Sequence, residues 1–166
     1  YKDYNHIIIS MKAISLFSGM GGDSLAIKNC KIELVAYSEK NNKFCESHDL
    51  NFSNCNLLGN GDIIKTNDEE ILNLKKTYGD INLIFAGFPC QGFSNAGKKL
   101  PDDPRNTLFI EFLRVTNLLK PKYIIGENVK GLLSRKTESN EKYIDIIKSE
   151  FEKIGYEVKF QVCKTN

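Results

Sequence analysis

The chain has 166 residues, 41% of them hydrophobic and 27% charged, with a formal net charge of +2. That size and balance fit one folded domain with a real core and exclude a disordered or low-complexity chain. The charge is too small to argue for or against nucleic acid, and arginine stands only at Arg105, Arg114 and Arg135, so forked contacts to bases have few candidates.

Five cysteines, Cys30, Cys45, Cys55, Cys90 and Cys163, form no CxxC pair. The odd number and the spacing argue against a disulfide framework and a structural zinc site; Cys45 and Cys55 with His48 between them lack paired ligand spacing. The early apolar run Ile7-Ile8-Ile9 is too short for a signal peptide, and no run approaches membrane-spanning length. The expectation is a reduced, cytoplasmic protein without a metal.

Residues 1–10 match no clear element, and Met11 is a possible natural start. The preceding residues then form an extension or tag, or else one more strand. Residues 12–166 read as one domain. Ala13-Ile14-Ser15-Leu16-Phe17 is a first strand, and Asp23-Ser24 can cap a helix running to about Cys30. A second strand, Leu34-Val35-Ala36-Tyr37-Ser38, ends at Glu39, and a helix follows over 41–48. An Asn-rich loop leads to a short third strand, Gly61-Asp62-Ile63-Ile64, after which Asp68 can cap a helix through Glu70, Leu72 and Lys76.

Ile81-Asn82-Leu83-Ile84-Phe85-Ala86 reads as a buried fourth strand, followed by a long loop. Over 105–119 the spacing of Leu108, Phe109, Phe112, Leu113, Val115 and Leu119 is helical, and Pro121 stops it. Tyr123-Ile124-Ile125-Gly126 is a fifth strand. An amphipathic helix over 142–154 turns Tyr143, Ile146, Ile147, Phe151 and Ile154 inward, and 157–163 reads as a sixth strand. Strand and helix alternate throughout, which predicts a doubly wound, mostly parallel α/β sheet.

Two loops at strand ends carry the functional signal. In Phe17-Ser18-Gly19-Met20-Gly21-Gly22, the glycines let the backbone curl close to a ligand at a helix N-terminus. The spacing is G-x-G-G, not the dinucleotide G-x-G-x-x-G. Glu39, twenty positions after Gly19 at the end of the second strand, can accept hydrogen bonds from both hydroxyls of a ribose. Asp62, at the end of the third strand, is placed to meet an adenine amino group; Asp80 precedes its strand and points to the opposite edge. Together these describe an adenosine site. The second loop, Gly87-Phe88-Pro89-Cys90-Gln91-Gly92-Phe93-Ser94, sets a cysteine just past a buried strand, at the edge where open α/β sheets keep their chemistry. A free cysteine read alone is more often a small buried apolar residue.

With these residues in view, the chain resembles the cytosine-C5 DNA methyltransferases. The 17–22 turn is similar to that family's cofactor motif, and the 87–94 loop to its catalytic motif. Arg105-Asn106-Thr107-Leu108-Phe109-Ile110-Glu111 is similar to the segment opening the next helix, and Gly126-Glu127-Asn128-Val129 to the motif with the catalytic glutamate. The order and approximate spacing agree from about residue 12 to 163.

The resemblance implies a Rossmann-like fold that binds S-adenosylmethionine and methylates carbon 5 of cytosine in double-stranded DNA, with the target base flipped out. It implies that Cys90 attacks carbon 6, that Glu127 acts at ring nitrogen 3, and that Asn128 fixes the catalytic loop. Phe17, Ser18, Gly19, Met20, Gly21, Glu39, Asp62, Ile63, Pro89 and Leu108 fall at its cofactor positions, and Gln91 and Ser94 at DNA-contacting ones. By helical spacing alone Leu108 is a core residue, and Asn128 can equally satisfy backbone groups.

Two positions depart from the pattern. Ser15 stands where the family usually has an aspartate, and Lys40 where it often has a bulky apolar residue against the adenine. The family also continues into a glutamine-arginine motif, a target-recognition domain and a closing helix. The expectation is therefore a catalytic part completed by a second subunit or a further C-terminal segment, the isolated chain being inactive or weakly active. A non-catalytic S-adenosylmethionine-binding module is the alternative. A Rossmann oxidoreductase is disfavoured by the glycine spacing and by a Pro-Cys-Gln loop with no role in hydride transfer.

Overall fold

The computed structural model describes residues 11–89, 107–137 and 140–164; Cys90, Gln91, Ser94, Arg105, Asn106 and residues 1–10 lie outside them. Its strands are β1 (Lys12–Leu16), β2 (Glu33–Ser38), β3 (Asn56–Leu57), β4 (Leu83–Ala86) and β5 (Tyr123–Gly126). Its helices are α1 (Gly22–Asn29), α2 (Asn42–Asn51), α3 (Asp68–Tyr78), α4 (Thr107–Leu119) and α5 (Tyr143–Lys153). All strand pairs are parallel, in the order β3-β2-β1-β4-β5. This is the doubly wound α/β sheet expected from the alternation of elements.

The central strands β1 and β4 are buried on both faces, and their side chains divide between two helix layers. From β1 and β4, Ile14, Leu16, Ile84 and Ala86 join the main core with Ile71 and Leu74 of α3, Phe112 and Val115 of α4, and Phe151 of α5. Ala13 and Leu83 turn the other way, against Ile27 of α1. On that second face Tyr37 of β2 stacks on His48 of α2, with ring centroids 3.7 Å apart. Aromatic rings knit the first face, with Phe112 and Phe151 centroids 4.9 Å apart and nearly edge-on, a favoured geometry.

Several expected boundaries move. The third strand is not at 61–64 but at Asn56–Leu57, inside the Asn-rich loop. Gly59, Asn60 and Gly61 all have positive φ (56°, 51° and 94°), which curls the chain out of the sheet into two short 3-10 turns, Leu58–Gly61 and Ile63–Lys65. The Gly21 N-cap lets α1 begin at Gly22, so Asp23 lies within the first turn rather than capping it. Asn67, not Asp68, caps α3, its side chain accepting from the Glu70 amide at 2.8 Å. The second helix runs to Asn51, three residues past the expected end, its start capped by the Asn41 side chain. Residues 157–163, expected as a sixth strand, form none: among the described residues no ladder partner faces them. Among the described residues, no helix is long and apolar enough to cross a membrane.

Candidate active site

The chain runs outward from β1 through β2 and β3, then returns to lay β4 and β5 on the other side of β1. Loops at the carboxyl ends of β1 and β4 therefore part, and such switch points are where open α/β sheets bind ligands. Two of the motifs leave the sheet here, residues 17–21 after β1 and residues 87–89 after β4.

The glycine turn is tied to the end of β2. Phe17 has φ 60°, a left-handed conformation that a bulky side chain adopts only under constraint. Its amide donates to Ser38 Oγ at 3.4 Å. The amide and hydroxyl of Ser18 both donate to the Ser38 carbonyl, at 3.1 and 3.2 Å. Ser18 is thus buried and engaged inside the protein, whereas Met20 is exposed. Gly21 (φ 96°) must lack a side chain, since a Cβ there would lie 2.6 Å from the Phe52 ring and 3.0 Å from His48.

Glu39 leaves β2 beside this turn. Its Oε2 accepts from the Gly19 amide at 2.9 Å and its Oε1 from the Asn41 amide at 2.7 Å. Two backbone donors orient the carboxylate and leave each oxygen a further lone pair for a hydroxyl. Asp62 sits at the N-cap of the second 3-10 turn, not at a strand end as expected. Its Oδ1 accepts from the Ile64 amide at 3.3 Å, and its Oδ2 lies 3.1 Å from Lys40 Nζ. The adjacent Ile63 is buried in the main core. Gly61 brings this turn against Glu39, because a Cβ at Gly61 would collide with the Glu39 carbonyl.

On the other side of the crevice, Asn128 Nδ2 donates to the Phe88 carbonyl at 2.7 Å. The Glu127 amide donates to the Ala86 carbonyl at 2.9 Å. These bonds draw the exits of β4 and β5 together, and Pro89, the last described residue of this segment, is exposed. Gly87 is the meeting point of the two halves: a Cβ there would lie 3.6 Å from Glu127 Oε2 and 3.7 Å from the Phe17 carbonyl. Leu108, on the first turn of α4, is half-buried against the main core, the packing its helical spacing implied.

Sequence reasoning missed three contributors. Ser15, fully buried in β1, donates its hydroxyl to Asp23 Oδ2, and Asp23 Oδ1 accepts from the Ser24 amide at 2.8 Å. A carboxylate thus stands next to Ser15 after all, borrowed from α1; the signal was a polar residue within an apolar strand and an acid eight positions on. His48, fully buried, holds Ser24 Oγ at 2.9 Å beneath the turn; burial pushes its pKa down. Arg114 was visible only as one of three arginines, three residues after Glu111. Burial pushes the Cys45 thiol up and the Cys55 thiol up to about 12, so both stay protonated at neutral pH. Among the described residues no group of three or more potential ligands gathers for a metal.

A family model described as C-5 cytosine-specific DNA methylase matches residues 11–166. The Type II methyltransferase M.DdeI of Desulfomicrobium norvegicum is 38% identical over 89% of this chain and 35% of its own length. For the Type II methyltransferase M.HhaI of Haemophilus parahaemolyticus the identity is 34%, over 90% of this chain and 42% of that protein. The chain therefore spans well under half the length of these relatives. Among solved structures, S. pombe Dnmt2 methyltransferase shares the fold at 24% identity and a TM-score of 0.61, over 87% of this chain and 41% of that one.

Proposed function

We propose, since this chain belongs to the C-5 cytosine-specific DNA methylase family, that it forms the cofactor-binding and catalytic part of an enzyme methylating carbon 5 of cytosine in DNA. The observation that supports this reading is the convergence at Gly87, where a Cβ would lie within 4 Å of both Glu127 Oε2 and the Phe17 carbonyl that opens the glycine turn.

The residues on the adenosine side fit S-adenosylmethionine. Glu39 has free acceptor capacity for two ribose hydroxyls. Asp62 and Ile63 would border the adenine, Phe17 would pack on it, and Gly19, Met20 and Gly21 would let the backbone approach. Pro89 and Leu108 would line the methionine end. Ser18 would act indirectly, by tying the turn to Ser38. Bound there, S-adenosylmethionine supplies an electrophilic methyl group to carbon 5.

Cytosine carbon 5 is a poor nucleophile until the ring is activated. In our reading Cys90, as thiolate, adds to carbon 6 and pushes the ring electron pair toward carbon 5. Glu127 holds a proton at ring nitrogen 3, where negative charge would otherwise build up. Asn128 holds the Phe88 carbonyl, and so the base of the Cys90 loop. Once carbon 5 has lost its proton, Cys90 departs and the double bond reforms. The target base must leave the duplex, at a cost of a few kcal/mol in unstacking; Gln91 and Ser94 would contact DNA as it does. A free thiol nucleophile suits the reducing cytoplasm.

Target recognition falls to a further part of the enzyme, as a C-terminal segment or a second subunit, in keeping with the low arginine count. The test uses DNA containing 5-fluorocytosine, which traps the carbon-6 adduct, with S-adenosylmethionine present. The chain fused to the target-recognition part of a longer relative is expected to give a covalent adduct that disappears in Cys90→Ser. The chain alone is expected to give little or none. No adduct in the fusion would refute the mechanism.

A further inference from the structure

Beyond the residues placed at the cofactor and the base, we propose that Arg114 is a positioning residue for the adenine end of the site, through the turn that carries Asp62 and Ile63. The inference rests on the proposed cofactor site. That turn leaves the sheet after β3 and belongs to no strand, so its place must be set from elsewhere. Arg114 sets it from α4. Its Nη2, one of whose two hydrogens goes to Glu111, shares the other between two carbonyls of the turn, Ile63 O at 3.1 Å and Thr66 O at 2.9 Å. Glu111, one helical turn back, holds the guanidinium in this pose, with Oε2 2.8 Å from Nε and 2.5 Å from Nη2. Nη1 closes the arrangement on Asp68, at the start of α3.

Each nitrogen of the guanidinium thus has a partner, on three different elements. The Arg114 side chain is 25% exposed and that of Glu111 13%, so the pair is largely removed from solvent. A partly buried ion pair is weak evidence for stability, since apolar side chains of similar volume often serve as well. What apolar residues cannot do is fix two carbonyls of a turn at set points, and an ammonium lacks the planar fork to do it while also meeting two carboxylates. The carbonyls held this way flank Ile64, whose amide orients Asp62 Oδ1. Arg114 therefore sets the backbone on which the Asp62 carboxylate stands, while Lys40 meets its other oxygen. It also couples that carboxylate to α4, the helix that follows the Cys90 loop in the chain.

The test compares binding of S-adenosylhomocysteine and its hypoxanthine counterpart, S-inosylhomocysteine, to the full 166-residue chain, with thermal unfolding followed in parallel. The hypoxanthine analogue offers no amino group to Asp62, so the unaltered chain is expected to prefer the adenine form by about tenfold. In Arg114→Lys, affinity for S-adenosylhomocysteine is expected to fall at least about tenfold and the preference to shrink to within about twofold. Glu111→Gln, which keeps the arginine but loosens its hold, is expected to lie between. Retained preference in Arg114→Lys, whatever its melting temperature, overturns the inference; if that variant does not fold, Glu111→Gln decides on the same criterion. An unaltered chain that binds both nucleosides equally keeps the cofactor site but refutes this role for Arg114. One that binds neither refutes the cofactor site itself and this inference with it.

Discussion

At the scale of single residues, the site depends on positions where a side chain would be in the way. Gly61 and Gly19 illustrate two different reasons for glycine. Gly19 has φ 54°, yet nothing lies within 4 Å of where its Cβ would be, so Gly19→Ala meets only the left-handed penalty of about 1–2 kcal/mol. Gly61 combines φ 94° with a collision against the Glu39 carbonyl, and neither backbone segment can yield without moving the proposed ribose or adenine acid. Gly61→Ala is expected to cost more than Gly19→Ala, about 2 kcal/mol or beyond, measured by urea unfolding. Equal losses in the two variants would show that the Glu39 and Gly61 segments are free to separate.

At the scale of elements, α4 carries two jobs on two sides. Its apolar side closes the core through Phe109, Phe112, Val115 and Leu119. Its polar side reaches the turn over 63–66 through Arg114, which Glu111 holds. Phe112 is 1% exposed, with ring partners in Phe88, 6.0 Å away between centroids, and Phe151, 4.9 Å away. Phe112→Ala is expected to destabilise the chain by about 3–5 kcal/mol, the range for truncating a buried aromatic. Because Phe88 packs on Phe112 and its carbonyl is the partner of Asn128, the cavity would open beside Phe88 at the exit of β4. A loss below about 1 kcal/mol, measured by denaturant unfolding, would mean that the aromatic cluster refills the space.

For the molecule as a whole, the response to acid follows from the second face of the sheet. His48 is fully buried, stacked on Tyr37 and bonded to Ser24. Burial lowers its pKa, against a smaller opposing pull from the carboxylates of Asp49 and Asp23. The unfolded chain takes up this proton near the usual imidazole value of about 6.5, before the folded chain does. Stability from this group is therefore full above about pH 6.5 and declines as pH falls toward the lowered folded value. Urea unfolding at about pH 7.5 and 5.5 is expected to differ by up to about 1.4 kcal/mol from this group. His48→Gln is expected to be less stable at the higher pH but to respond less to acid over this window. An undiminished response would assign the acid sensitivity to other groups.

Much of this protein was legible in the chain itself. The alternation of apolar strands with helical patterns is local, and it determined the α/β class; the 17–22, 87–94 and 126–129 motifs are contiguous, and they determined the family. What resisted reading was whatever two distant segments decide together. The third strand was misplaced because curling by Gly59, Asn60 and Gly61 competes with extension, and only the neighbouring Ala36 and Tyr37 select Asn56 and Leu57 for pairing. The expected sixth strand failed for the complementary reason, since an extended stretch becomes a strand only when a ladder partner lies beside it. Ser15 looked like a lost anchor until α1 brought Asp23 to it, and nothing in the chain tied Arg114 to the turn over 63–66 until α4 packed beside it. Motif chemistry is written in consecutive residues and so belongs to the sequence. The placement of that chemistry depends on hydrogen bonds and contacts between residues tens of positions apart, which exist only once the sheet has formed.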